Sequence, residues 1–190
     1  MALPPIARAT LQAALMSAVS NVLAQGITAY RDNKPFVLDR QPLFQFTTSA
    51  LILSPLAFLW LEGLEQWLPG DEQGPEPKGP KKENEKGARD GKDKKLNVKN
   101  TIAKIVVDQV IGGALNTFMF LSVMGLLRGD SIDVVKDEVQ ANFLPLMLAG
   151  LKLWPFVSIL NFTVVPADQR LLVGNLFGLA WGVYLSLVSA

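Results

Sequence analysis

The sequence predicts an all-α polytopic membrane protein: a helical bundle of four transmembrane helices, an added amphipathic and kinked helix, and a charged, disordered loop. First, 49% of the residues are apolar and the mean hydropathy is +0.27, which is high for a soluble domain. Second, four stretches of 19 to 22 residues contain no Asp, Glu, Lys or Arg, and about 20 helical residues cross a bilayer core. Third, the charges concentrate in one segment, 71–99. We therefore expect a lipid bilayer around a single membrane domain, 1–190.

The predicted elements follow from these stretches. Residues 71–99 hold 9 of the 18 Lys and Arg and 7 of the 17 Asp and Glu. The segment has too few apolar residues to offset the entropy lost on ordering, so it is expected to be disordered. The elements are span 1 at 9–30, span 2 at 41–68, the loop at 71–99, span 3 at 100–127, an amphipathic then kinked helix at 131–165, and a last span at 168–189.

Composition excludes several classes of function. The chain has no Cys and no His, which removes thiolate chemistry, the commonest general base and the commonest metal ligand. A net charge of +1 argues against nucleic-acid binding. We therefore expect no enzyme activity, no cofactor and no metal. A membrane enzyme would have to use Asp108 with Lys104 or Lys152.

Span 1 carries a stripe of small and polar residues at helical spacing. Amides need hydrogen-bond partners inside hydrocarbon. The stripe therefore predicts either hydrogen bonds between helices or a water-filled pathway. Its members are Thr10, Ala14, Ser17, Asn21, Gln25 and Thr28.

Span 2 contains Pro55, which predicts a kink. Trp60 and Trp67 fit an aromatic belt where the span leaves the membrane. Glu62 and Glu65 are expected near that interface.

Span 3 has a second polar row, in which Lys104, Asp108 and Asn116 are spaced at multiples of four residues. An ionisable residue inside a span is a functional-site hypothesis by default. The alternative is a structural ion pair of Asp108 with Lys104 or Lys152.

The two C-terminal elements differ in character. Charges and apolar residues alternate from residue 131, which predicts an interfacial helix. This helix continues into a kinked segment that contains Pro145, Lys152 and Pro155, so 139–167 either crosses fully or inserts only in part. The last span has small residues at every fourth position, which favours close helix packing. They are Gly174, Gly178, Gly182 and Ser186.

One block resembles a family signature that runs Trp-Pro-x-x-Gln-x-x-Asn-Phe-x-x-Val-Pro, with an Arg four residues later. The signature is that of the Mpv-seventeen and peroxisomal-membrane-protein-twenty-two family. Asp108-Gln109 and Gln25 also match family positions, whereas Ser158 replaces the signature glutamine. The block residues that match are Trp154, Pro155, Asn161, Phe162, Val165, Pro166 and Arg170.

The resemblance implies a small integral protein of the peroxisomal membrane or of the mitochondrial inner membrane. Residues 23–25 and 174–181 look closer to the peroxisomal branch, and lysines at 92–95 suit peroxisomal targeting. The N-terminus and the loop are expected to be cytosolic. With four full spans, the C-terminus is then cytosolic too.

Two functions remain open. The first is a passive pore for small hydrophilic solutes. Because few helices enclose little space, this pore calls for a homo-oligomer or a narrow path. The second is a non-conducting scaffold in organelle membrane assembly, with the loop as a docking surface or a plain spacer. The candidate pore-lining or buried polar residues are Ser17, Asn21, Gln25, Lys104, Asp108, Gln109, Asn116, Lys152 and Asn161.

Overall fold

The computed structural model describes residues 3–70 and 97–188, and the regular secondary structure of these residues is helical. The all-α fold class is confirmed. Most of the predicted charged loop, 71–96, lies outside the described residues. The helices are α1 (Pro5–Arg31), α2 (Arg40–Trp67), α3 (Val98–Val107), a π-helical segment (Asp108–Gly112), α4 (Gly113–Arg128), α5 (Ile132–Gly150), α6 (Trp154–Thr163), a 3₁₀ turn (Ala167–Gln169) and α7 (Arg170–Val188).

Two continuous helices are long and apolar enough to cross a membrane. They are Arg40–Trp67 and Val98–Arg128. A third span results if α5 and α6, which meet at a 55° bend, count as one crossing. The kink predicted within 131–165 is therefore present. Length and composition identify two or three spans among the described residues, and the number four stays a prediction.

The α1–α2 hairpin is closed by a glutamine that brackets the start of α2. Gln25 Nε2 donates to the carbonyl of Asp39 at 2.9 Å, and Gln25 Oε1 accepts from the Asp39 amide at 2.7 Å. The Asp39 carboxylate caps α2 by accepting from the Gln41 amide. Side-chain caps of this type satisfy amides that have no partner within the helix. The hairpin thus fixes α1 antiparallel to α2.

The ends of the charged loop meet at one point of the bundle. The Asn97 amide donates to the Gly70 carbonyl at 2.8 Å. Asn100 Nδ2 donates to the Pro69 carbonyl at 3.0 Å. Because these bonds hold the end of α2 against the start of α3, the helices meet independently of the 26 residues between them. We call this end of the bundle the linker end.

Close packing joins α4 to α5 at the opposite end. A Cβ at Gly125 would lie 2.8 Å from Val135 Cγ2, so only glycine allows this approach. Gly129 ends α4 in the left-handed region, at φ 86°. The Ser131 side chain then caps α5. This short turn sends α5 back along α4 toward the linker end.

The chain makes five passes along the bundle. The α6–α7 junction returns to the linker end, because Arg170 contacts Glu65 of α2. From there α7 runs parallel to α1, and Ser20 Oγ lies 3.5 Å from the Leu179 carbonyl. Pro5 and Val188 therefore lie toward opposite ends of the bundle. Four full spans would put both termini on one side, but the pass formed by α5 and α6 makes the number of passes odd.

This topology predicts sidedness. Because the chain has no Cys, single cysteines report location without background. We expect Lys99→Cys to react with an impermeant maleimide from one side of sealed vesicles. Lys34→Cys, Asp130→Cys and Val188→Cys should react from the other side. Labelling of Val188→Cys from the same side as Lys99→Cys would contradict five passes.

Candidate functional site

An aspartate in the middle of span 3 is held by neutral donors from three helices. Asp108 Oδ1 accepts from the Trp60 indole at 3.0 Å. Asp108 Oδ2 accepts from Ser158 Oγ at 2.6 Å and, more weakly, from Gln109 Nε2 at 3.4 Å. Gln109 Nε2 also donates to Ser158 Oγ at 2.8 Å. This Asp108 network links α2, the π segment and α6.

The π segment and a glycine create the room for this network. A π turn inserts one extra residue into a helix and is frequent at functional sites. Here it begins at Asp108 itself. A Cβ at Gly112 would lie 2.6 Å from Trp60 Nε1 and 3.0 Å from Asp108 Oδ1. The indole can therefore reach the carboxylate only because residue 112 has no side chain.

A charged cluster lies about one helical turn nearer the linker end. Lys104 Nζ donates to Glu65 Oε2 at 2.7 Å, and Arg170 Nη1 donates to the same oxygen. Glu65 Oε1 accepts from the Gly70 amide at 2.9 Å. Lys104 is 0% exposed and Arg170 is 7% exposed. We call Glu65, Lys104 and Arg170 the linker-end cluster.

The residues of the Trp-Pro block build the wall of this cluster. Phe162 is buried, and its ring centroid lies 5.4 Å from Lys104 Nζ and 5.1 Å from the Arg170 guanidinium carbon. Both distances suit cation–π attraction. Arg170 Nε donates to the carbonyls of Asn161 and Val165 at 2.9 and 3.3 Å, and Asn161 Nδ2 donates to the Arg170 carbonyl at 3.3 Å. The block thus ties the end of α6 to the start of α7.

The rest of the block shapes α6. Pro155 occupies the first turn of α6, where the missing N–H of proline costs nothing. Pro166 precedes the 3₁₀ turn. Trp154 approaches two glycines: Cβ atoms at Gly150 and Gly178 would lie 2.9 and 3.9 Å from its ring atoms.

The small-residue ladder of the last span is described only in part. Gly178 packs beside Trp154, and a Cβ at Gly174 would lie 3.9 Å from Asn161 Nδ2. These two glycines therefore face α6. Gly182 and Ser186 lie outside the residues whose side chains are described.

The polar stripe of α1 is paired with protein groups. Ser17 Oγ donates to the Phe46 carbonyl at 2.9 Å. Asn21 is buried, and its Oδ1 accepts from Gln25 Nε2 at 2.8 Å. Of the two interpretations left open for this stripe, these contacts favour hydrogen bonds between helices.

The structure corrects three expectations about partners and places. Lys104 pairs with Glu65, so the predicted ion pair of Asp108 with Lys104 or Lys152 is wrong. Lys152 is exposed in the turn between α5 and α6, and Asn116 is exposed on α4. Trp60 was expected in an aromatic belt, but its indole donates a hydrogen bond to Asp108. The antiparallel packing of α2 on span 3 places the two side chains at the same depth in the bundle.

Sequence reasoning missed Glu65, Trp60 and Ser158 as members of the site. Glu65 could have been found from its position near the end of a span. A carboxylate placed there needs a cationic partner unless its side chain reaches water. Neither Trp60 nor Ser158 has a local signal, because each acts through a residue about 50 positions away. In the part of the chain that the structure describes, no three Asp or Glu residues come together in a way that could hold a metal ion.

Comparison with known proteins shows what this chain is similar to. The sequence profile of the Mpv17 / PMP22 family matches residues 125–186, which include the Trp-Pro block. Protein sym1 of Schizosaccharomyces pombe is 26% identical over 200 residues, covering 98% of this chain and 85% of its own. PXMP2/4 family protein 3 of Dictyostelium discoideum is 27% identical over 185 residues, covering 97% and 84%. The chain is thus similar to the Mpv17 / PMP22 family, over residues 125–186 to its profile and over nearly its whole length to these two relatives.

The protein is accordingly an integral, multi-pass membrane protein. Protein sym-1 of Neurospora crassa is 34% identical over a shorter region, 88 residues, covering 46% of this chain and 49% of its own. Relatives with Sym1 and with PXMP2/4 names both extend over nearly the whole chain, so the similarity does not single out one of these two groups. No solved structure matches the chain significantly.

The Asp108 network predicts a specific intolerance to a methyl group. Gly112→Ala should push the Trp60 indole from Asp108 and destabilise the protein by about 1–3 kcal/mol, as overpacking does. Gly63→Ala is the matched control, because nothing lies within 4 Å of its Cβ position. It should be neutral or stabilising by up to about 1 kcal/mol. Thermal unfolding of both variants in detergent measures the difference, and equal midpoints would contradict the network.

The linker-end cluster predicts a strong dependence on one lysine. Lys104→Met removes one of the two cations that bind Glu65 Oε2 and leaves Glu65 paired with Arg170 alone. Losing a hydrogen bond between charged groups costs about 1.5–3 kcal/mol. Lys136→Met removes an exposed pair with Asp133 and should cost under about 1 kcal/mol. The measurement is the thermal midpoint of each variant. Similar losses in both would show that the buried pair has no special weight.

Proposed function

We propose that this protein is a passive pore for small hydrophilic metabolites in the peroxisomal membrane. The observation that carries the proposal is the Asp108 network, a carboxylate inside a membrane span whose partners among the described residues are all neutral. Such residues are expensive in a bilayer and usually mark a solute or ion pathway. A passive pore needs neither catalysis nor a cofactor, in keeping with a chain that has no Cys and no His.

The neutral partners make Asp108 different from the other acid in the bundle. Glu65 is neutralised by two cations in the linker-end cluster. Asp108 accepts hydrogen bonds from an indole, a hydroxyl and an amide. Ser158, which replaces the glutamine of the family signature, is buried and bonds directly to the carboxylate. These features favour a polar path past Asp108, with the width and charge of the path setting selectivity.

The placement of the candidate residues distinguishes two routes for solute. Ser17, Asn21 and Gln25 are engaged in the α1–α2 hairpin, which argues against a route along α1. A route inside one chain would pass Asp108, Gln109 and Ser158. A route between copies in a homo-oligomer would pass exposed polar groups such as Asn116.

A non-conducting scaffold is the second candidate, and one observation favours it. The α1 stripe is occupied by hydrogen bonds within the protein, as in a bundle built only for stability. Gly70 and Asn97, which flank residues 71–96, are hydrogen-bonded to each other. A loop attached in this way can be removed without pulling the helices apart, which makes the scaffold hypothesis separately testable.

The organelle is proposed from the sequence resemblance, with the mitochondrial inner membrane as the alternative. The lysines at 92–95, close to the start of α3, are the feature that favours the peroxisome. Replacing these lysines with glutamine should reduce colocalisation of the tagged full chain with a peroxisomal membrane marker. Colocalisation of the unaltered chain with an inner-membrane marker instead would support the mitochondrial alternative.

The pore proposal predicts a pattern of solute flux. Purified protein in liposomes should admit small sugars and monocarboxylates faster than empty liposomes, measured by light scattering after an osmotic jump. Asp108→Asn keeps the side-chain shape and removes the charge, so it should change the flux at least about twofold if solute passes that site. Asn116→Ala is the control for a route between copies and should leave the flux unchanged.

The outcomes separate the alternatives. A change of flux in Asn116→Ala but not in Asp108→Asn would support a solute route at an interface between chains. Liposomes that stay sealed, although the protein shows a cooperative thermal transition, would overturn the pore. Replacing 71–96 with a short Gly-Ser connector should leave flux intact if the loop is a spacer. Loss of co-purifying partners in that variant, without flux in either form, would support the scaffold.

A further inference from the structure

The linker-end cluster carries a net positive charge in a buried place. Lys104 and Arg170 contribute two positive charges, and Glu65 contributes one negative charge, so the net charge is +1. Lys104 is 0% exposed and Arg170 is 7% exposed. A buried charge without a counter-charge is strongly unfavourable. Among the described residues Glu65 is the one acid paired with these two cations, so the cluster favours a second negative group.

Both cations converge on one carboxylate oxygen. Lys104 Nζ and Arg170 Nη1 bond to the same atom, Glu65 Oε2. Two cationic donors aimed at a single oxygen are the arrangement that binds phosphate and carboxylate groups, and arginine is the side chain best suited to them. Glu65 thus occupies the place of an oxyanion supplied by the chain itself.

The cluster also has unused hydrogen-bonding capacity. Lys104 has three donors, and Glu65 is its one hydrogen-bond partner among the described residues. The second terminal nitrogen of Arg170 donates to none of the residues described. Thr101 is 3% exposed, its Oγ1 has no hydrogen-bond partner among the described residues, and it shares a helix face with Lys104 three residues on. Buried polar atoms nearly always have partners, so a further polar group is expected here.

An approach to the cluster exists from the linker end. The Arg170 side chain is 8% exposed and the Glu65 side chain is 29% exposed. Gly70 lies next to the two charges: a Cβ there would be 3.0 Å from Lys104 Nζ and 3.4 Å from Glu65 Oε1. Gly70 is buried against the cluster, where a larger side chain would not fit. An anion would reach the cluster beside Glu65, its most exposed member, and compete with Glu65 for Lys104 and Arg170.

We propose that Lys104 and Arg170 form a binding site for a small oxyanion beside Glu65, at the linker end of the bundle. The oxyanion group is a phosphate, either of a soluble molecule or of a lipid headgroup at the same membrane surface. The proposal is independent of solute flux, because it concerns the charge balance of the cluster and not a pathway.

The test is a titration of the full chain with inorganic phosphate. The protein is placed in phosphatidylcholine nanodiscs, and phosphate is raised to 10 mM while chloride keeps the ionic strength constant. Binding to the folded state should raise the thermal midpoint saturably, by about 3 °C at ten times the dissociation constant. A midpoint that does not change with phosphate, in these discs and in the lipid discs described below, would overturn the proposal.

Glu65→Gln is the decisive variant, because it keeps the size of the side chain and removes the competing anion. The net charge of the cluster rises to +2, so half of the midpoint shift should need about tenfold less phosphate than in the unaltered protein. Arg128→Gln is the control, since Arg128 pairs with Asp130 and Glu138 at the opposite end. A general salt effect would shift both variants alike and would overturn the site.

Two further arms complete the design. If Glu65→Gln does not fold, Arg170→Lys replaces it. That variant keeps the charge but loses the second terminal nitrogen, and should need several-fold more phosphate than the unaltered protein. Discs with 10% phosphatidic acid and no free phosphate distinguish the source. Stabilisation there alone assigns a lipid phosphate, and stabilisation by free phosphate assigns a soluble one. Loss of stability in Glu65→Gln that neither form of phosphate reverses would mean that the three charges are structural only.

Discussion

The bundle depends on a single carboxylate oxygen that two buried cations share. Glu65 comes from α2, Lys104 from α3 and Arg170 from the start of α7, so Glu65 Oε2 joins three helices at one end. Charges taken out of water are tolerated only when they are paired and hydrogen-bonded. Among the described residues, none of these three side chains has another partner of opposite charge. An arrangement of the helices that separated them would therefore leave buried charges unpaired. The five passes of the chain follow from this meeting point.

The hydrocarbon solvent imposes the second constraint, which is that polar groups find partners inside the protein. The α1 stripe meets it through the hairpin contacts of Gln25 and through Ser17. The Asp108 network meets it with an indole and a hydroxyl, and the glycine at 112 provides the space. Close helix packing is therefore what brings these polar side chains within hydrogen-bond distance of their partners. Gly112, which permits the close approach of Trp60, also sets the level at which Asp108 finds its partner.

The sequence predicted the helices better than their partners. Long uncharged runs located α2 closely, since hydrophobic length is a local property. The kink within 131–165 followed from its prolines and Lys152. The sequence could not show in this way that Lys104 pairs with Glu65 and not with Asp108. Residues four apart on one helix face are natural partners, and only the position of Glu65 on another helix shows which acid takes the lysine.

By itself, the sequence determined that this is an all-α membrane protein, which side chains are polar within its spans, and which family signature it carries. These properties are written in composition, run length and motif spacing, all of which are local. The tertiary structure alone decided that Glu65, Trp60 and Ser158 complete the polar interior, and that α7 starts at the linker end. The physical reason is that a hydrogen bond or an ion pair depends on distances of about 3 Å between residues up to 159 positions apart. Helix packing, and not sequence spacing, sets those distances.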